Sequence, residues 1–340
     1  MNLSKHLIKF LLLLLLFSLT AIVKAEDYVS GVKDLWDPPG RMITVGTHRL
    51  HIFCQGAKNN KPTVIIDSGL GGFSLEWRKI QNDLSGNYHI CSYDRAGYGW
   101  SDPGPFPRTT RTIVAELKTL LNGADVSPPY LLIGHSFGGY NMMYYAKTFP
   151  DEVKGLVLID SSHPDQANWF PSVYPDLPHG RRRTRMVSTP KIPANYPIRY
   201  RETAYHLMNT RKARNAMRFE SMNFEISGRQ VSDSGTIPEI PLVILTRGER
   251  AWPRTQEGEK LETTWVRLQN ELARMSGKSK HVIADFSGHF IHLDQPILVE
   301  DAIREIVEKV PCDGEPQNDN ANIKYAEFKQ RARMTGFGEC

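Results

Sequence analysis

The hexapeptide Gly134-His135-Ser136-Phe137-Gly138-Gly139 follows the apolar run Leu131-Leu132-Ile133 and precedes Met142, Tyr145 and Ala146 at helical spacing. A strand, a sharp turn and a helix in that order are the setting in which a serine can serve as a covalent nucleophile. The turn forces Ser136 into a strained backbone conformation, and the glycines at 134 and 138 keep side chains out of the crowded strand–helix junction. Its hydroxyl is thereby lifted above the sheet. The helix start also places the backbone N–H of Phe137 and a positive dipole end where an oxyanion would form. The plainer reading is a glycine-rich turn capped by a serine, which the flanking strand and helix disfavour. His135, next to the serine in a sharp turn, points away and is read as structural.

A nucleophilic serine needs a base, carried on a turn after the final strand and within hydrogen-bond reach of the hydroxyl. Ser287-Gly288-His289 meets that need, with His292 three residues on as the lesser choice. His163 lies in the expected hinge of an inserted segment, as a candidate substrate contact.

These groups must be positioned by a sheet. Short β-branched runs alternate with helix-compatible stretches from residue 41 to 310, the pattern of a mostly parallel sheet covered by helices. Strands are expected near residues 41–45, 49–54, 63–66, 89–93, 130–133, 155–159, 242–245 and 281–284. Gly46-Thr47-His48 joins the first two, which makes that pair antiparallel. The runs at 63–66, 131–133 and 156–159 are continuously apolar, as expected of central strands buried on both faces. Between residues 161 and 239 the rhythm fails, with Trp169-Phe170-Pro171, Arg181-Arg182-Arg183 and Tyr196-Pro197, and this stretch is read as a cap inserted between the sixth and seventh strands. Trp169, Phe170, Tyr174 and Tyr196 either line an acyl pocket or pack the cap itself. The arginine run is a solvated face rather than an anion site. A helix over 255–275 carries Leu261, Trp265, Leu268 and Leu272 on one stripe. After residue 310 a polar tail runs to Cys340.

Together with Val64-Ile65-Ile66-Asp67-Ser68-Gly69-Leu70-Gly71-Gly72, Trp77, Tyr93-Asp94-Arg95-Ala96-Gly97-Tyr98-Gly99-Trp100-Ser101, and Gly288-His289 followed by Pro296, the elbow resembles the α/β-hydrolase superfamily in its usual order. The resemblance spans residues 41–310. It implies a three-layer α/β/α sandwich around an eight-stranded sheet, a Ser-acid-His triad, and hydrolysis of an acyl ester or related bond with no cofactor. By position, the second oxyanion donor is the N–H of Leu70. Many members carry His-Gly where this chain has Ser68-Gly69. The acid in many members follows the seventh strand, where only Glu249 is available. Some lipases take it from the end of the sixth, so Asp160 is favoured, with Glu249 the alternative and Asp165 a remote third. Asp94 corresponds to a structural carboxylate that accepts backbone N–H bonds. A serine at the elbow disfavours haloalkane dehalogenase and epoxide hydrolase chemistry, which use an aspartate there. In the usual strand order Cys54 and Cys91 lie on neighbouring strands, so a disulfide between them is expected.

The bulk numbers set outer limits. With 340 residues, 40% hydrophobic and 23% charged, the chain has globular composition. Residues 1–25 read as a secretory signal, with Lys5 and Lys9 before an apolar stretch at 10–23 and a cleavage site after Ala25. Removing Lys5, Lys9 and Lys24 takes the formal charge from +5 to +2, too little to argue for nucleic acid. The cleavable signal makes the mature chain expected to be secreted or periplasmic, and no later stretch is long and apolar enough to span a bilayer. The four cysteines are compatible with two disulfides, the second closing the tail through Cys312 and Cys340, and their spacing fits no zinc motif, so no metal is expected. The partner is a small acyl substrate. Two alternatives remain: an amidase or aminopeptidase, and a ligand-binding protein that keeps the fold without turnover.

Overall fold

The computed structural model describes residues 37–170 and 192–309. The proposed signal and its cleavage site, Tyr174, the arginine run and the tail with Cys312 and Cys340 lie outside the described residues. Eight strands form one sheet: β1 (Arg41–Val45), β2 (His48–Gln55), β3 (Thr63–Asp67), β4 (Ile90–Tyr93), β5 (Tyr130–His135), β6 (Val153–Ile159), β7 (Leu242–Arg247) and β8 (Ser279–Ala284). Their spatial order is β1-β2-β4-β3-β5-β6-β7-β8. The β1–β2 and β2–β4 pairs are antiparallel and all others parallel, so the elbow strand β5 lies at the centre, between β3 and β6.

Burial on both faces explains the continuous apolar runs, because alternate residues of each central strand feed opposite cores. Leu132, Leu156, Leu158, Leu242 and Ile244 face one side. There they pack with α2 (Thr110–Gly123) and α3 (Phe137–Thr148), through residues such as Leu117, Leu121 and Met142. Leu131, Ile133, Val157, Ile159, Val243 and Leu245 face the other side, against α1 (Arg78–Leu84) and α9 (Pro296–Lys309), through Ile80, Leu84, Val299 and Ile303. The result is the expected three-layer arrangement. Cys54 and Cys91 are direct register partners on β2 and β4 and are joined by a disulfide, as the strand order implied.

The stretch between β6 and β7 is more regular than its sequence suggested. It contains α4 (Arg201–Met208), α5 (Arg211–Met222) and α6 (Phe224–Asp233). These helices are short and punctuated by Asn209-Thr210 and Asn223, and Thr210 caps α5 by accepting from the Ala213 amide, so the strand–helix rhythm was absent while helix signals were present but brief. Ala204, Leu207, Ala213 and Ala216 pack onto Phe73, Leu75 and Tyr98 of the loops after β3 and β4, so the insertion is seated directly above the loops that follow the central strands. Tyr196 belongs to this same buried cluster, and therefore packs the insertion rather than lining an open pocket. After β7 comes α7 (Gln256–Leu272), whose first turn is capped by Thr255 accepting from the Gly258 amide. A short turn of helix, α8 (Ile291–Asp294), follows the loop after β8.

Candidate active site

Ser136 sits between β5 and α3 at φ 52°, ψ −122°, a left-handed conformation that a residue with a side chain adopts only when its surroundings impose it. Here those surroundings are explicit. The Ser136 amide donates to the Ile159 carbonyl (3.1 Å), and its own carbonyl accepts from the amides of Gly139 (3.0 Å) and Ser162 (3.1 Å). The turn is thus bolted to the end of β6. The helix start also approaches the loop after β3 closely enough that a Cβ at Gly138 would fall 2.4 Å from the Asp67 carbonyl oxygen and 2.6 Å from that of Ser68. Only glycine fits there, and its presence lets the loop carrying Leu70 lie against the elbow. Phe137 opens α3, so its N–H has no intrahelical partner.

The loop holding Leu70 is fixed by a buried arginine. Arg95, 2% exposed, donates to the carbonyls of Ser68 (2.5 Å) and Gly69 (2.8 Å) and to Asp67 Oδ1 (2.5 Å). From its other edge it pairs with Glu220 of α5 through Nε (2.9 Å) and Nη2 (3.0 Å), and Tyr98 donates to the same carboxylate (2.9 Å). One guanidinium therefore couples the position of the Leu70 loop to the inserted helices. Asp67 is further held by Tyr93 and Asn141. The Ser68 hydroxyl, at the place of the family's usual histidine, accepts from the Trp77 indole (2.8 Å). Asp94 accepts from the amides of Ser74 and Trp100 and contacts His51, the structural role expected of it.

His289 follows β8 on a loop and is 37% exposed in its side chain, while Asp160 follows β6 and is fully buried. Their Nδ1 and Oδ2 atoms are 2.6 Å apart. Asp160 stands at φ 38°, and the same carboxylate accepts from Arg247 Nη1 (3.1 Å to Oδ2) and from the Trp265 indole (2.9 Å to Oδ1). Burial pushes its pKa up, yet His289, Arg247 and Trp265 together outweigh burial and hold it below the ordinary carboxylate value. Glu249 is exposed, and its bond to this loop is made by its backbone amide to the Ser287 carbonyl (3.0 Å). The last residue of β7 thus contributes Arg247, a partner of Asp160 that was not foreseen in the sequence. Asp165 lends its backbone amide to His163 Nδ1, and His163 faces Glu271 of α7 across 3.6 Å. Among the aromatic residues considered for the pocket, Phe170 stacks on Trp252 (5.4 Å) and meets Trp265 edge-on, whereas Trp169 is exposed beneath Arg267.

His135 and His292 occupy the interior behind the elbow. The His135 ring lies 4.7 Å from that of His289, and its Nε2 is 2.9 Å from the His289 carbonyl oxygen. Burial, and then the neighbouring His289, lower the His135 pKa to about 3, so it is neutral and its one proton serves that carbonyl. His292 is fully enclosed and stacked on Trp77 at 4.2 Å, a position from which it acts as a packing group rather than a solvent-facing base.

A family model described as the alpha/beta hydrolase fold matches residues 62–191. An uncharacterized protein of Bacillus subtilis, YqjL, is 29% identical over 244 residues, covering 72% of this chain and 83% of that protein. Two other curated relatives are matched over only 18% and 47% of their own length. Among solved structures, Cfl2 from Burkholderia cenocepacia superposes with a TM-score of 0.60 at 20% identity, covering 80% of this chain and 98% of that one. A thermophilic esterase from Thermogutta terrifontis superposes with a TM-score of 0.57 at 19% identity, covering 79% and 98%. With the motif order and the sheet topology, these likenesses agree on one assignment: the chain has the α/β-hydrolase fold, and its residues 62–191 match that family's model.

Proposed function

We propose that the protein is a serine hydrolase that cleaves a carboxylic ester, or a closely related acyl bond, through an acyl-enzyme on Ser136. The observation that carries this reading is the contact of His289 Nδ1 with the buried Asp160 carboxylate at 2.6 Å, made by loops that follow β8 and β6, in a chain whose β5 ends in the strained Ser136. With the proton on Nδ1 donated to Asp160, His289 Nε2 is left as the base that takes the Ser136 proton while the alkoxide attacks the acyl carbonyl. The N–H groups of Phe137 and Leu70 stabilise the developing oxyanion, and the imidazolium then protonates the leaving group. Water, activated by the same imidazole, releases the acyl group. The ionised Asp160 keeps the tautomer fixed and balances the imidazolium charge.

The cysteine pair at Cys54 and Cys91 and the basic-then-apolar start of the sequence support export to a secreted or periplasmic location. Among the described residues no helix is long and apolar enough to cross a membrane.

A fluorophosphonate probe tests the nucleophile. Labelling of the wild type that disappears in Ser136→Ala is expected, and labelling that persists in the variant overturns the assignment. A panel of p-nitrophenyl esters against aminoacyl anilides separates ester from amide cleavage, with turnover of the esters expected. Absence of both labelling and turnover would favour a ligand-binding role.

A further inference from the structure

Glu76, His135 and His292 converge in the interior although they come from three separate segments. Glu76 is on the turn Ser74–Trp77 that follows the Leu70 loop, His135 ends β5 immediately before Ser136, and His292 is on α8, three residues after His289. All three side chains are buried, at 5%, 1% and 1% exposure. One donor atom from each lies within 4.8 Å of the others.

Their hydrogen bonding is incomplete in a specific way. Glu76 Oε1, His135 Nδ1 and both ring nitrogens of His292 have no hydrogen-bond partner among the described residues. Buried polar atoms without partners are costly and uncommon, and four in one cluster call for something that satisfies them together. They do not satisfy one another, since His292 Nε2 and Glu76 Oε1 are 3.8 Å apart, beyond hydrogen-bond range.

The lone pairs are also arranged for a ligand role. His135 Nε2 is 2.9 Å from the His289 carbonyl oxygen, which places the ring proton on Nε2 and leaves Nδ1 as a bare lone pair with no hydrogen-bond partner among the described residues. A backbone carbonyl that fixes the far nitrogen of an imidazole is the usual support behind a metal-bound histidine. His292 is held in orientation by the Trp77 face at 4.2 Å. The Glu76 carboxylate fills space that only a glycine leaves open, because a Cβ at Gly72 would come within 2.5 Å of Oε1.

We propose that Glu76, His135 and His292 form a binding site for a divalent transition metal ion of the zinc class, behind the nucleophile elbow. Two imidazoles and one carboxylate are a donor set suited to such an ion, and it places one negative charge against two positive ones. Around a tetrahedral centre with bonds of about 2.0–2.1 Å, donors stand roughly 3.3 Å apart, so donor atoms now within 4.8 Å of one another need to close by at most about 1.5 Å. A water molecule completes the coordination. The ion would tie together the loop of Leu70, the elbow of Ser136 and the loop of His289, without direct contact to Leu70, Ser136 or His289 themselves. The site makes no use of the Ser136 hydroxyl, and its existence is separable from the hydrolase reading. It was invisible to cysteine spacing because it uses none of the cysteines.

Chelator-stripped full-length protein, titrated with zinc and separately with cobalt, tests the site. The expected result is about one equivalent of metal per chain by equilibrium dialysis with elemental analysis, a rise in Tm of several degrees at saturating zinc, and cobalt d–d bands of tetrahedral intensity. Glu76→Gln and His292→Gln should each weaken binding at least tenfold, while a substitution at the exposed Asp151 should not. Failure of the wild type to bind, or binding that persists unweakened in both variants, overturns the proposal. Should the variants not fold, X-ray absorption of the zinc-loaded wild type decides the matter: two imidazoles in the first shell are expected, and fewer than two rejects the site. Ser136→Ala should bind metal like the wild type, so loss of esterase activity leaves this result unaffected.

Discussion

Asp160 Oδ2 stands 2.6 Å from His289 Nδ1 although 129 residues separate them, and Arg247 grips the same carboxylate from the end of the adjacent strand. In the proposed triad this makes Asp160, rather than Glu249, the group that orients the base. Asp160→Asn should therefore lower kcat about 1,000- to 10,000-fold with little change in KM, because the amide favours the wrong imidazole tautomer. Glu249→Gln should stay within a few-fold of wild type. Steady-state kinetics on one ester measures both, and the reverse order of effects would move the acid to Glu249.

The same carboxylate should leave a mark on acid stability. Its pKa is below the ordinary 3.8, since His289, Arg247 and Trp265 outweigh the upward push of burial. A folded-state pKa below the unfolded one means that the unfolded chain binds more protons as pH falls. The stabilisation is present above about pH 4 and is lost as pH drops through the folded value. Urea denaturation between pH 3 and pH 6 should show a weaker fall in stability for Asp160→Asn than for wild type. Parallel pH dependences in the two proteins would contradict the shift.

Arg95 bridges the Leu70 loop and α5, with Glu220 fully buried at one edge. Glu220→Ala removes one carboxylate from a buried cation and leaves Tyr98 without its acceptor. A loss of about 3–5 kcal/mol in unfolding free energy is expected, the range for breaking a buried pair from one side. Chemical denaturation checks this. A change under 1 kcal/mol would mean that water or Asp67 compensates.

The Cys54–Cys91 bridge closes a loop of 37 residues in sequence separation. Loop-closure entropy puts its contribution at about 3–4 kcal/mol. Non-reduced peptide mapping should recover the linked pair, and Cys54→Ser/Cys91→Ser should lower stability by an amount of that order. Recovery of both as free thiols would remove this crosslink from the protein.

Local signals were strong enough to locate the eight strands: the continuous apolar runs of the central ones report burial on both faces, and the alternation of short β-branched runs with helix-compatible stretches marks the others, neither needing knowledge of partners. The serine turn was legible for the same reason: Gly134, Ser136 and Gly138 answer to crowding between neighbours in the chain. The inserted helices were less so, since α4, α5 and α6 are short and their apolar faces are matched to Phe73, Leu75 and Tyr98 from distant loops. Which carboxylate meets His289 depended on the backbone turn at Asp160 and on Arg247 reaching it from the end of β7, and neither is encoded within a window of residues. The gathering of Glu76, His135 and His292 is of the same kind. Sequence determines which groups exist and which strands carry them; only the packing of strand ends beside one another brings their polar atoms within bonding distance, because those distances are set by contacts between segments far apart in the chain.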